Sequence, residues 1–149
     1  MIPTPDASRP IEQQDEDVLL GMLVYGEARG ESVTGRTAVA HVALNRVLDM
    51  KRRYGSGLRA VILKPWQFSC FNENDPNREK LLGPFNSSGK ATWDGCYAAA
   101  LAARCVVTDD PTGGANLYHV AGIELPKWAT APGVKHKVQI GRHLFYKEP

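Results

Sequence analysis

The chain has 149 residues, a formal net charge of +2 and 43% hydrophobic residues. These values fit one globular domain with its own core, and they exclude a disordered or fibrous protein. Basic and acidic residues are interspersed, which argues against a nucleic-acid binder, because such proteins concentrate lysine and arginine in one stripe. The basic run at 51–53 is short and fits a solvated helix end.

The first residues, 1–11, are polar and rich in proline, and we expect a flexible N-terminal arm before a single domain at 12–149. This arm lacks the basic start and apolar stretch of a secretory signal. No run approaches the roughly 18 apolar residues that a membrane span needs. The sequence therefore predicts a protein without stable membrane association, which stays in the cytoplasm until it is released. We also expect a monomer.

Hydrophobic spacing predicts three main helices and a shorter one. They run from about Glu12 to between Gly26 and Gly30, from about Thr34 to 48, over 58–63, and over 92–107. Residues 71–90 are rich in Asn, Asp, Pro, Gly and Ser and predict a long surface loop.

The C-terminal residues alternate between two sides, as in a β-strand. One side carries Val138, Ile140, Leu144 and Tyr146, with Arg142 as the exception on that side, and the other carries Gln139, Gly141, His143 and Phe145. Residues 116–119 are a candidate partner strand. Helices followed by a small sheet predict an α+β domain.

Glu27 is the most informative residue, because it continues the apolar stripe of the first helix eight positions after Leu19. A carboxyl group in an apolar cleft loses hydration, which disfavours its charged form and keeps its proton available. Such a carboxyl is the proton donor that cleavage of a glycosidic bond needs. The alternative is a solvated glutamate at a frayed helix end, and spacing alone favours that alternative.

Hydrolysis with two carboxylates would need a second acid across the cleft. Glu31 could supply it, but we favour a structural hydrogen-bond acceptor at that position; Asp75 and Asp94 are further possibilities. One chemistry needs no second acid, because a hydroxyl group of the substrate can attack once the leaving oxygen is protonated.

Aromatic side chains beside polar ones suit sugar rings, although each of them also fits core packing. They occur at Trp66-Gln67-Phe68-Ser69, Asn116-Leu117-Tyr118-His119, Trp128 and Phe145-Tyr146. The histidines lack zinc-protease spacing and the cysteines form no C-x-x-C pair, so we expect no metal and no other cofactor.

The segment Tyr25-Gly26-Glu27-Ala28-Arg29-Gly30-Glu31 resembles the signature of the cell wall hydrolase family typified by the catalytic domain of spore cortex-lytic enzymes (SleB-like). Further matches follow in the expected order, and the similarity extends from about Asp17 to Tyr146. They are Leu44-Asn45-Arg46-Val47, Gln67-Phe68-Ser69-Cys70, Asn116 to His119, Trp128, and Ile140 to Tyr146.

The resemblance implies a lysozyme-like, lytic transglycosylase-like fold with Glu27 as the catalytic residue. In that family the bond between N-acetylmuramic acid and N-acetylglucosamine is cut, and the muramic C6 hydroxyl attacks its own anomeric carbon to leave a 1,6-anhydro end. Glu27 would act first as acid and then as base. The residues expected to line the glycan cleft are Tyr25, Arg29, Gln67, Phe68, Ser69, Asn116, Tyr118, His119, Trp128, His143 and Tyr146.

The chain departs from spore enzymes because it shows neither a secretion signal nor a wall-binding domain. These departures favour a phage endolysin that acts on the glycan strands of bacterial peptidoglycan during host lysis. A bacterial hydrolase exported by another route, a hydrolytic muramidase of the same fold and a non-catalytic glycan-binding module remain alternatives.

Overall fold

The computed structural model describes residues 1–149 and consists of four α-helices and a three-stranded antiparallel sheet. The elements are α1 (Glu16–Ala28), α2 (Val33–Val47), α3 (Leu58–Leu63), α4 (Ser87–Arg104), β1 (Leu117–Val120), β2 (Lys135–Ile140) and β3 (His143–Lys147). Short 3₁₀ turns lie at Ile11–Gln13, Ser69–Phe71, Glu79–Leu82 and Lys127–Thr130. The predicted class, a mainly helical α+β domain with a small antiparallel sheet, is confirmed. None of the helices is both long and apolar enough to span a membrane.

Helix α1 is the centre of the core and packs against both α2 and α4. A Cβ atom at Gly21 would lie 3.0 Å from the Trp93 ring, so the glycine lets the buried indole of α4 lie directly on α1. The indole nitrogen of Trp93 donates to the carbonyl of Pro3 at 2.8 Å. The N-terminal arm therefore contacts the body of the domain.

Helices α2 and α4 start where polar side chains cap them. Ser32 accepts a hydrogen bond from the Gly35 amide at 3.1 Å, and Asn86 accepts one from the Gly89 amide at 3.0 Å. Capping by Asn86 starts α4 five residues before the predicted 92, inside the segment predicted to be a loop. The Ser-Ser-Gly composition there is typical of loops, and the cap outweighs it.

Helix α1 starts at Glu16 rather than near Glu12, because the residues before it form a separate 3₁₀ turn. The buried side chain of Gln14 donates to the carbonyls of Asp6 and Arg9, at 2.7 and 3.0 Å, and accepts from the Asp6 amide at 2.8 Å. These bonds hold the arm and separate a 3₁₀ turn from the helix.

The C-terminal alternation belongs to a hairpin and not to one continuous strand. The predicted division of its residues between the two faces was therefore wrong after the turn. Gly141 has φ of 57° and forms a two-residue turn with Arg142, which pairs Ile140 with His143. The turn resets the alternation. As a result His143 and Phe145 share a face with Ile140, whereas Tyr146 points to the other face.

The carboxylate of Asp110 fixes the start of β1 against α2. It accepts hydrogen bonds from the amides of Thr112 and Gly114, at 2.8 and 3.0 Å, and from the Asn45 side chain at 2.8 Å. The same Asn45 amide donates to the carbonyl of Ala115 at 2.8 Å. Strand β1 is thereby placed where its side chains meet the end of α1.

Candidate active site

Glu27 lies in the last turn of α1 and is half-buried. The backbone amide of Cys70, in the 3₁₀ turn Ser69–Phe71, donates to Glu27 Oε1 at 3.3 Å. The carboxyl group is thus held by a segment distant in sequence while it stays accessible to a ligand, as a proton donor must be.

Gly26 makes this contact possible. A Cβ atom at Gly26 would lie 2.6 Å from Sγ and 2.7 Å from Cβ of Cys70, closer than real side chains approach. The absence of a side chain lets the turn rest on α1 one residue before Glu27. Burial, followed by the charge of Glu27, raises the pKa of the Cys70 thiol far above its usual range, so the thiol stays protonated.

Tyr118 in β1 is a second neighbour of Glu27. Its ring stacks on Phe68 with centroids 6.5 Å apart and meets the edge of His143 at 5.1 Å. Burial of the phenol group, and then the charge of Glu27, raise the pKa of Tyr118 well above 10. The hydroxyl therefore keeps its proton and can donate a hydrogen bond toward the carboxylate.

Arg46 in α2 contacts the segments that carry Phe68 and Tyr118, and its side chain is buried, with only 4% of the residue exposed. Its guanidinium lies 4.5 Å from the centroid of the Phe68 ring, and it donates to the Asn116 carbonyl at 2.7 Å and to Gln67 Oε1 at 3.5 Å. Burial lowers the pKa of Arg46, while the charge of Glu27 is among the influences that raise it. Sequence reasoning missed this residue, although it lies in the matched motif Leu44–Val47.

Tyr25 and Arg29 flank Glu27 on α1 and its cap. The Arg29 guanidinium lies 5.1 Å over the Tyr25 ring, donates to the Tyr25 carbonyl at 3.1 Å and to Asn77 Oδ1 at 3.3 Å. Tyr25 also lines a cavity of about 210 Å³ with Phe85 and Asn86. Arg29 therefore ties the segment 71–90 to the edge of the site.

Glu31 is placed differently, and its side chain is only 7% exposed. Its Oε1 accepts a hydrogen bond from the Arg142 amide at 2.9 Å, and a Cβ atom at Gly141 would lie 3.0 Å from the same oxygen. His143 Nδ1 is 3.3 Å away but lacks hydrogen-bond geometry. Burial lowers the pKa of His143, which favours the neutral ring. Glu31 thus anchors the turn between β2 and β3.

We predict that Glu31→Gln retains near wild-type cleavage of purified walls, because an amide oxygen can still accept from the Arg142 amide. Glu31→Ala removes the acceptor and is expected to lower the free energy of unfolding by about 1–3 kcal/mol. Denaturant unfolding and the rate of wall clearing measure the two effects, with the exposed Glu124→Gln as control. A folded but inactive Glu31→Gln protein would instead make Glu31 the second carboxylate.

The other predicted cleft residues separate into two groups. Near Glu27, Phe68 is buried beneath Tyr118, Gln67 is half-buried and Ser69 is exposed. Asn116 is buried and accepts from the Glu148 amide at 3.0 Å, so it serves the framework.

His119, Trp128 and Tyr146 lie on the sheet face opposite to Tyr118 and His143. His119 Nε2 is 3.0 Å from the Tyr146 hydroxyl, and the Trp128 ring is 5.8 Å from His119 and 5.2 Å from Tyr146. Strand pairing sets Tyr118 opposite Phe145, and neighbouring residues alternate sides. The structure therefore does not bring these three side chains to Glu27, and they pack against one another. No group of three or more His, Cys, Asp or Glu side chains is arranged to hold a metal ion.

Comparison with known proteins identifies the family over most of the chain. The family model described as Cell Wall Hydrolase matches residues 30–146. That match begins three residues after Glu27, so the role expected for Glu27 depends on the geometry above and on the resemblance of residues 25–31.

Among the relatives, the spore cortex-lytic enzyme of Bacillus cereus is 32% identical over 135 residues, or 90% of this chain. The chain spans only 45% of that relative's length. The crystal structure of the catalytic domain of the Bacillus cereus SleB protein superposes with a TM-score of 0.66 at 28% identity, covering 89% of this chain and 90% of that one. The catalytic domain of the germination-specific lytic transglycosylase SleB from Bacillus anthracis gives 0.67 at 28% identity, covering 89% and 95%.

Proposed function

Because the chain belongs to the Cell Wall Hydrolase family, we propose that it cleaves the bond between N-acetylmuramic acid and N-acetylglucosamine in bacterial peptidoglycan. The observation that carries this proposal is Glu27, an accessible carboxyl group held by the Cys70 amide at the end of the buried helix α1. Glycosidic cleavage needs such a positioned acid.

The proposed mechanism uses Glu27 twice. The protonated carboxyl group donates its proton to the glycosidic oxygen, the bond from that oxygen to the muramic anomeric carbon breaks, and positive charge develops on the sugar ring. The Glu27 carboxylate then accepts the proton of the muramic C6 hydroxyl, whose oxygen forms the new bond to the anomeric carbon. The Cys70 amide and the Tyr118 hydroxyl stabilise the carboxylate between these steps.

The transglycosylase route is favoured because two of the candidate second carboxylates, Glu31 and Asp94, have other partners. Glu31 is engaged by the β2–β3 turn, and Asp94 pairs with Lys90. A 1,6-anhydro product needs no protein nucleophile and no activated water.

One observation supports the hydrolytic muramidase as a second candidate. Asp75 is near enough to Cys70 for its charge to contribute to the raised pKa of that thiol, so a second carboxylate lies near the turn that holds Glu27. Asp75 also accepts from the Asn77 amide at 2.8 Å, which orients it. In this route Asp75 would activate a water molecule or stabilise the positive sugar ring.

Mass spectrometry of the fragments released from purified peptidoglycan distinguishes the two routes. We expect 1,6-anhydromuramic ends, with Asp75→Asn leaving their rate of formation within about threefold of wild type. Reducing muramic ends, lost in Asp75→Asn, would establish the hydrolase. Stem peptides released from intact glycan would overturn the assignment of Glu27, and binding without any fragments would indicate a glycan-binding module.

We propose host lysis by a phage as the biological role, in which the enzyme stays in the cytoplasm until a pore opens the inner membrane. The test is expression in a bacterial host with and without a membrane-permeabilising protein. Lysis only when both are present supports the role, and lysis by the enzyme alone contradicts it.

A further inference from the structure

Trp66 has an unusual environment for a large aromatic residue. Its side chain is 75% exposed, and its backbone lies in the left-handed region with φ of 67°. That conformation costs free energy for any residue other than glycine, and it persists only where the surrounding structure holds it. The indole is therefore displayed to solvent instead of joining the core.

Two hydrogen bonds hold the backbone at Trp66 in this conformation. The Trp66 amide donates to Oδ1 of Asn72 at 3.2 Å, and the Gln67 amide donates to the Lys64 carbonyl at 3.2 Å. The backbone that carries the ring is thus fixed in a turn between α3 and the 3₁₀ turn Ser69–Phe71, so little backbone freedom would be lost when a flat ligand stacks on the indole.

The exposed indole forms one wall of a cavity of about 450 Å³, which we call the Trp66 pocket. Phe71 contributes an apolar surface, and Asn72, Glu73 and Asn74 contribute amide and carboxylate groups. The size is that of a small-molecule site, and an aromatic face beside a few polar groups is the usual composition of such a site.

The charges of the Trp66 pocket favour an uncharged polar ligand. Two acidic side chains, Glu12 and Glu73, are balanced by Lys64 and Arg78, and Arg78 is paired with Glu12 at 2.8 Å. A pocket without net charge has no electrostatic preference for an anionic or cationic polymer. A neutral sugar ring, apolar on its face and polar at its edge, matches both the indole and the amides.

The pocket lies within reach of the candidate active site. Trp66 precedes Cys70, whose amide contacts Glu27, by four residues, so their Cα atoms are at most about 14 Å apart. A glycan strand cleaved at Glu27 is long enough to extend over that distance.

We propose that the Trp66 pocket binds an N-acetylated sugar ring of the glycan strand, away from the bond that is cut. The apolar face of the ring stacks on the indole, and Asn72, Asn74 and Glu73 bind its hydroxyl and acetamido groups. This inference rests on the proposed function. The pocket adds affinity for long strands without taking part in proton transfer.

The test replaces Trp66 with Ala and uses Val106→Ala as the matched control. Val106 is also an exposed apolar residue with positive φ, at 82% exposure and 57°. Both substitutions keep a Cβ atom at a left-handed position, so neither adds backbone strain, and thermal unfolding checks that the proteins remain folded.

Binding is measured with Glu27→Gln as background, using peptide-free glycan strands, peptide-bearing strands and, separately, N-acetylglucosamine tetramers. We expect Trp66→Ala to weaken binding of long strands by about 5- to 30-fold, with Val106→Ala unchanged. In the active enzyme we expect KM for long strands to rise and kcat to stay the same.

Unchanged binding and KM in Trp66→Ala would overturn the proposal, as would a loss seen only with peptide-bearing strands, which would assign the pocket to the stem peptide. The binding measurement does not depend on catalysis. If the active enzyme releases no fragments while Trp66 still controls glycan binding, the proposed function fails and the pocket assignment stands.

Discussion

Glu27→Gln is expected to abolish peptidoglycan cleavage while it leaves the free energy of unfolding nearly unchanged. Glutamine has the same shape and still accepts a hydrogen bond from the Cys70 amide, which binds Glu27 at 3.3 Å in the native protein. What it lacks is a transferable proton, and general acid catalysis contributes about 100- to 10,000-fold to such reactions. The rate of clearing of purified walls and a thermal unfolding curve measure the two quantities.

A shorter acid serves as the control for this experiment. Glu27→Asp keeps the proton but withdraws it by one methylene from the Cys70 amide and from the substrate. We expect a folded protein with a large but incomplete loss of rate. Wild-type clearing by a folded Glu27→Gln protein would remove Glu27 from the mechanism.

Gly26→Ala is expected to reduce both stability and activity. The new methyl group would meet Cys70 Sγ at 2.6 Å and Leu81 Cδ2 at 3.1 Å, so the turn Ser69–Phe71 must move away from α1. Overpacking of this kind costs about 1–3 kcal/mol of unfolding free energy. Because the same turn holds the Glu27 carboxyl group, we also expect the lytic rate to fall by roughly 100-fold.

Gly30→Ala tests whether this effect depends on the close contact. A Cβ atom at Gly30 meets only the end of the flexible Arg142 side chain, at 3.4 Å. We expect both its denaturation midpoint and its lytic rate to remain near wild type. Equal losses in the two variants, or none in Gly26→Ala, would show that the packing of Cys70 on α1 does not position Glu27.

The sequence by itself determined the class of the domain and its family. The 3.6-residue periodicity is local, so it located α1, α2 and the short α3, and the ordered motifs indicated the family that the comparisons show. Glu27 was singled out by the resemblance of residues 25–31 to the family signature, because the spacing of its helix alone favours a solvated glutamate at that position.

The ends of the helices and the faces of the strands were harder to predict from the sequence, because single residues decide them. The Asn86 cap sets the start of α4, and the turn at Gly141 reverses the chain within a stretch that alternates except at Arg142. Neither a cap nor a positive φ changes the average pattern of a window.

Only the tertiary structure decided which side chains accompany Glu27. Tyr118 and His119 are adjacent in the sequence, yet β1 directs Tyr118 toward Glu27 and His119 toward Tyr146. Arg46 likewise acquires its importance from a segment far along the chain, because it donates to the carbonyl of Asn116. The physical reason is that sequence patterns record the period of one element, whereas a site is made by contacts between elements, and those depend on how the whole chain packs.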